Sequence, residues 1–151
     1  MSQYQLTQTP QRDFVLAEFE QRMARAQTMM REQQLDGVLL TTETNVRYFS
    51  GYFTQFWQSP TRPWFLLLPA TGKPIAVIPT IGVVGMSNTW VDDVRTWPSP
   101  FPADDGVSLL NQTLAELPKR FGRLGMTLGR ETHLRMPQTQ VQSLYASSGF
   151  E

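Results

Sequence analysis

The sequence has no cysteine and a single histidine, His133. Without thiols there is no disulfide framework and no thiolate chemistry, which fits a cytoplasmic setting. A zinc site of the usual kind draws on several His or Cys ligands, and this chain cannot supply them. An all-carboxylate site for manganese or magnesium would need Asp and Glu to converge. The close acidic pairs, Asp92-Asp93 and Asp104-Asp105, are sequence neighbours, and neighbours on a strand face opposite ways. An excess of one charge is missing too, since 13 basic residues balance 13 acidic ones and no basic run occurs. Nucleic acid is therefore not an expected partner. No apolar run approaches the ~20 residues of a membrane span. The polar start MSQYQLTQTPQRDF lacks a signal core, so no membrane partner is expected either. Gly82-Val83-Val84-Gly85 is no phosphate cradle, because no GxGxxG or Walker pattern is present.

What is present centres on Asp36 to Pro69. Val38-Leu39-Leu40 and Trp64 to Leu68 are continuous apolar runs, the pattern of strands buried on both faces. Between them Asn45-Val46-Arg47-Tyr48-Phe49-Ser50-Gly51-Tyr52 reads as a short helical turn. It leads into an aromatic loop with Phe53, Phe56 and Trp57. Loops with unusual composition are where function concentrates.

The flanks read as support. Residues 1–12 form an arm, and a helix starts near Asp13 as N-cap. Phe19, Met23, Ala26 and Met30 line one face of it. Arg22, Arg25, Arg31 and Glu32 are expected in solvent. Ala70-Thr71-Gly72-Lys73 turns between two strands of an antiparallel hairpin. Thr80 is placed to cap a short helix, and a strand follows over Trp90 to Trp97. A helix from Val107 to about Phe121 carries Pro118, which should kink it or split off its last turn. A short strand from Leu124 to Gly129 and a helix after Pro137 close the chain. The order α, β, α, β, β, α, β, α, β, α predicts an α/β domain over residues 13–151 with a single mixed β-sheet flanked by helices.

Four pieces, in order, resemble the N-terminal domain of the creatinase/prolidase family of metallohydrolases, which includes Xaa-Pro dipeptidases. They are the first helix leading into Leu35-Asp36-Gly37-Val38-Leu39-Leu40, the Asn45–Tyr52 motif, the hairpin Trp64 to Pro79, and Leu124-Gly125-Met126-Thr127. Thr127 stands where that family usually has Glu. The resemblance implies a ribonuclease H-like core and an accessory role. It also implies a homodimer, and a catalytic C-terminal domain of the same chain, absent from these 151 residues, that would hold a dinuclear divalent metal (Mn, Zn or Co). This chain alone would then bind no cofactor and catalyse nothing. The resemblance further implies that the loop after Ser50-Gly51 reaches the neighbouring subunit's pocket. Arg62, Trp57, Phe56 and Phe53 would contact substrate there, with Arg62 as a fork for a carboxylate. Two other readings compete. One is a stand-alone binding or scaffold domain. The other is a free-standing hydrolase using carboxylates such as Asp36 and Asp92.

Overall fold

The central strand of the hairpin sets the architecture. Phe65–Pro69 (β2) is buried at every position, because both of its faces are covered and both of its edges are paired. In the computed structural model, which describes residues 14–59, 63–130 and 132–151, β2 is the middle strand of a five-stranded sheet. The other strands are β1 (Gly37–Leu40), β3 (Ile75–Pro79), β4 (Asp93–Trp97) and β5 (Leu124–Met126). The strand order is β4-β3-β2-β1-β5. β1, β2 and β3 form an antiparallel meander, with Leu39 opposite Leu67 and Leu66 opposite Ala76. β4 runs parallel to β3, and β5 parallel to β1. The sheet is mixed, as the sequence predicts.

Alternation along β2 splits the core in two. Leu66 and Leu68 point to the face covered by α1 (Leu16–Glu32), α2 (Glu43–Ser50) and α3 (Val83–Ser87), joining Met23, Met30, Val46 and Met86. Phe65 and Leu67 point to the opposite face, where Leu110, Leu114 and Leu144 arrive from α4 (Val107–Ala115) and α5 (Gln138–Ser148). Side chains that alternate across a strand thereby produce a helix–sheet–helix sandwich.

Several boundaries differ from expectation. Asp13 lies outside the described residues. α1 begins at Leu16 with Val15 as N-cap and no side-chain cap bond. α4 ends at Ala115 rather than near Phe121. Pro118 offers no N–H to continue the helix. The residues after it turn their N–H groups onto Asp36 instead. β5 is three residues long, not six. Thr80 does not cap: its hydroxyl donates to the Trp97 carbonyl at 3.0 Å, and a 3₁₀ turn, Thr80–Gly82, precedes α3. Gly82, the N-cap of α3, and Gly85 within it each have a packing reason. A Cβ on Gly82 would sit 2.3 Å from the Trp64 ring, and one on Gly85 2.5 Å from the Tyr52 ring.

Arg22 is the largest correction on α1. It is 6% exposed rather than solvated. Its guanidinium lies between the Phe14 and Tyr48 rings, 4.2 and 4.3 Å from their centroids. It donates to Glu18 at 2.9 Å and to the Tyr48 carbonyl at 2.7 Å.

Candidate functional site

The Ser-Gly step at the end of α2 is built from two constraints. Gly51 is the C-cap, at φ 74°, and a Cβ there would meet the Phe19 ring at 2.9 Å. Only glycine satisfies both the left-handed backbone and the close approach. The Ser50 hydroxyl donates to the Val46 carbonyl at 2.6 Å and accepts from the Tyr52 N–H at 3.0 Å, which turns the chain inward. Val46 is fully buried beneath the helix. Asn45 lies inside the first turn of α2, whose N-cap is Thr42.

Beyond Gly51 the aromatics divide. Tyr52, Trp64 and Trp57 form an internal cluster of tilted rings, with centroids 5.5 Å apart for the first pair and 5.8 Å for the second. Burial pushes the Tyr52 phenol above its ordinary range, and a hydrogen bond with Thr54 pulls the other way. The Thr54 hydroxyl accepts the Phe56 N–H at 3.2 Å and so caps a 3₁₀ turn, Gln55–Gln58. Phe53, Phe56 and Trp57, grouped on one loop by the sequence, part company at Trp57. It is 3% exposed, held among core aromatics where a loop tip would leave it wet. Phe56 is half-buried against the α1–α3 core. Phe53 alone points outward, 61% exposed, with the Arg47 guanidinium 4.9 Å from its ring centroid. Arg62 lies outside the described residues.

The remaining candidates serve structure. Asp36, 3% exposed, accepts from the backbone N–H groups of Arg120, Phe121 and Gly122 at 2.7–3.1 Å. Asp92 pairs with Lys73 at 2.6 Å. Asp93 is half-buried and shares Arg95 with Glu116. His133 is exposed on the β5–α5 connection. Among the described residues no group of three His, Cys, Asp or Glu side chains is placed to hold a metal ion. A dinuclear metal centre does not fit this donor set, because Asp36, Asp92 and Asp93 are already engaged in other contacts. A groove of about 750 Å³ opens along Leu35, Pro69, Ile75, Leu117 and Phe121. None of the loop aromatics lines it.

One functional candidate escaped the sequence. Arg135, on the β5–α5 connection, donates to the carbonyls of Trp57 and Ser59 at 2.6 and 2.9 Å. Its guanidinium carbon lies 5.1 Å from the Trp57 ring centroid. Only its place shortly before Pro137 marked it, and that does not single it out.

The creatinase/prolidase N-terminal domain model matches residues 22–145. The chain belongs to this family. No curated protein matches it at a significant level. Solved structures similar to this creatinase/prolidase N-terminal domain include a proline dipeptidase from Streptococcus pneumoniae. That match has 16% identity and a TM-score of 0.65, and covers 85% of this chain and 86% of the other. The dipeptidase PepE from Mycobacterium ulcerans matches at 23% identity and TM-score 0.61, over 91% of this chain and 34% of the other. Prolidase from Thermococcus sibiricus matches at 16% identity and TM-score 0.67, over 85% of this chain and 33% of the other. The domain thus spans about a third of each of the last two proteins, and most of each lies outside the match. At these identities the likeness speaks to fold, and the mixed sheet flanked by helices is the fold of these domains. No helix among the described residues is long and apolar enough to cross a membrane.

Proposed function

We propose that this domain is the accessory part of a metal-dependent hydrolase of the creatinase/Xaa-Pro dipeptidase type. In this reading it mediates dimerisation and shapes the substrate pocket of the neighbouring subunit. The observation that carries the reading is Phe53, a large aromatic 61% exposed on a loop whose adjoining turn is capped and packed. A fixed loop that offers one aromatic to the outside suits a contact made in trans. Solved structures of similar fold are described as proline dipeptidases and prolidases, which favours an amide before proline as the bond cleaved. The chemistry then belongs to a catalytic domain carrying a dinuclear divalent metal, outside residues 1–151. Residues 13–151 form the accessory domain, residues 1–12 its arm, and the cytoplasm is its compartment. Of the loop aromatics, Phe53 is the substrate-facing candidate, while Phe56 and Trp57 pack inward against the core.

Arg62 carries the test. It directly precedes Pro63 in the sequence, and a residue before proline is biased away from helical backbone. If its fork clamps a substrate carboxylate, Arg62→Ala in the full-length enzyme loses about 2–3 kcal/mol of transition-state binding. We predict that the loss appears in kcat/KM for carboxylate-bearing substrates, with metal content unchanged. Arg62→Lys restores only part of it, because an ammonium cannot form the fork. Equal kcat/KM in wild type and Arg62→Ala for every accepted substrate rules the clamp out.

A further inference from the structure

We propose that Arg135 is the positioning residue of the aromatic loop. It reaches the loop from the β5–α5 connection, 76 to 78 residues away in sequence. Its two terminal nitrogens take the carbonyls of Trp57 and Ser59, at 2.6 and 2.9 Å. Both carbonyls lie where the 3₁₀ turn ends and intrahelical donors run out. The same guanidinium stacks over the Trp57 ring, so one planar cation fixes the backbone and the side chain of the turn together.

A second observation supports the assignment. The Arg135 backbone stands at φ 52°, a left-handed conformation that non-glycine residues seldom adopt. Such a conformation persists where surrounding contacts over-determine it. The connection is held on both sides of Arg135. The Thr132 hydroxyl donates to the Gly129 carbonyl, and Met136 packs against the core shared by α4 and α5. Pro137 then opens α5. The core on one face of the sheet therefore holds the fork, and the fork holds a loop that belongs to the other face.

This inference rests on the reading of the loop as a pocket wall, so the experiment has two separate arms. In the first, hydrogen–deuterium exchange is measured on this chain. The Ser59 N–H, bonded to the Phe56 carbonyl at 3.0 Å, reports on the turn. Arg135→Ala is expected to raise exchange in residues 53–59 at least tenfold while leaving β2 unchanged. Arg135→Lys is expected to fall between the two, since it retains the charge but not the fork. Arg135→Gln, which keeps an amide donor, provides a second reading if the alanine variant does not fold. Unchanged exchange in the turn for all variants overturns the assignment. In the second arm, kcat and KM are measured on the full-length enzyme carrying Arg135→Lys. A rise in KM of about tenfold at constant kcat supports both readings. Increased exchange with unchanged KM leaves Arg135 as the positioning residue and rejects the pocket wall.

Discussion

The Asp36 carboxylate faces a concave row of three successive N–H groups, an arrangement that suits an anion. Asp36→Asn replaces one accepting oxygen with a donor aimed at another donor. Hydrogen bonds to a charged group contribute about 1.5–3 kcal/mol each, and leaving buried N–H groups unmade costs a similar amount. We predict a loss of about 3 kcal/mol, read as a lower urea midpoint at unchanged m. An unshifted midpoint would show that the row of N–H groups does not need its anion. Residue roles were the least legible part of the sequence. Asp36 could be read as a turn residue, but its partners lie 84 to 86 residues away. Arg22 was legible in hindsight, because it stands three residues after Phe19 and one before Met23, on the buried face of α1. Charge alone misassigned it, since the rings of Phe14 and Tyr48 that shelter it come from separate segments. Trp57 was recognised as part of an aromatic loop. Whether an aromatic points in or out depends on Trp64 and Arg135, which no local pattern couples to it.

Elements were read more reliably, because their signals are local: helical spacing of Phe19, Met23 and Met30, and apolar runs in β1 and β2. Boundaries slipped where an element's end is set by a distant contact, as at α4. That helix is tied to β4 by Arg95, which bonds Asp93 at 2.9 Å, Glu116 at 2.7 Å and the Thr113 hydroxyl at 3.2 Å. The clamp raises the Arg95 pKa further, with the Asp93 bond the largest cause. The Arg95 bond in turn holds the Glu116 carboxyl below its ordinary value of 4.5. A depressed folded-state pKa means that the folded chain binds this proton less readily than the unfolded chain. The contribution of Glu116 is thus complete above the ordinary value and is lost as pH falls through the lowered one. We predict that Tm of wild type exceeds that of Glu116→Gln at pH 7 and that the gap closes toward pH 3. Because Glu116 is solvent-facing, the gap is small and shrinks with added salt. A gap independent of pH would point to packing rather than charge.

For the molecule as a whole, the mixed sheet followed from the alternation of element types and from one tight hairpin turn. The outer position of β5, beside β1, did not, because parallel pairing across the length of the chain leaves no local trace. Self-association belongs at this scale. Because Trp57 is interior, Phe53 is the residue that probes an interface. We predict that sedimentation of this chain at high micromolar concentration shows dimers and that Phe53→Ala weakens them with the fold intact. A strictly monomeric wild type would remove the loop from dimerisation. The row of N–H groups that Asp36 fills also bears on the order of assembly. The β1–β2–β3 meander joins near neighbours, whereas the Asp36 contact closes a loop of more than eighty residues. Closures of that span carry the largest entropic cost and tend to follow the local pairings. In stopped-flow experiments Asp36→Asn should therefore accelerate unfolding and leave the refolding limb almost unmoved. This makes the carboxylate a latch set after the climb is over: it governs how long the native domain lasts rather than how quickly it is reached.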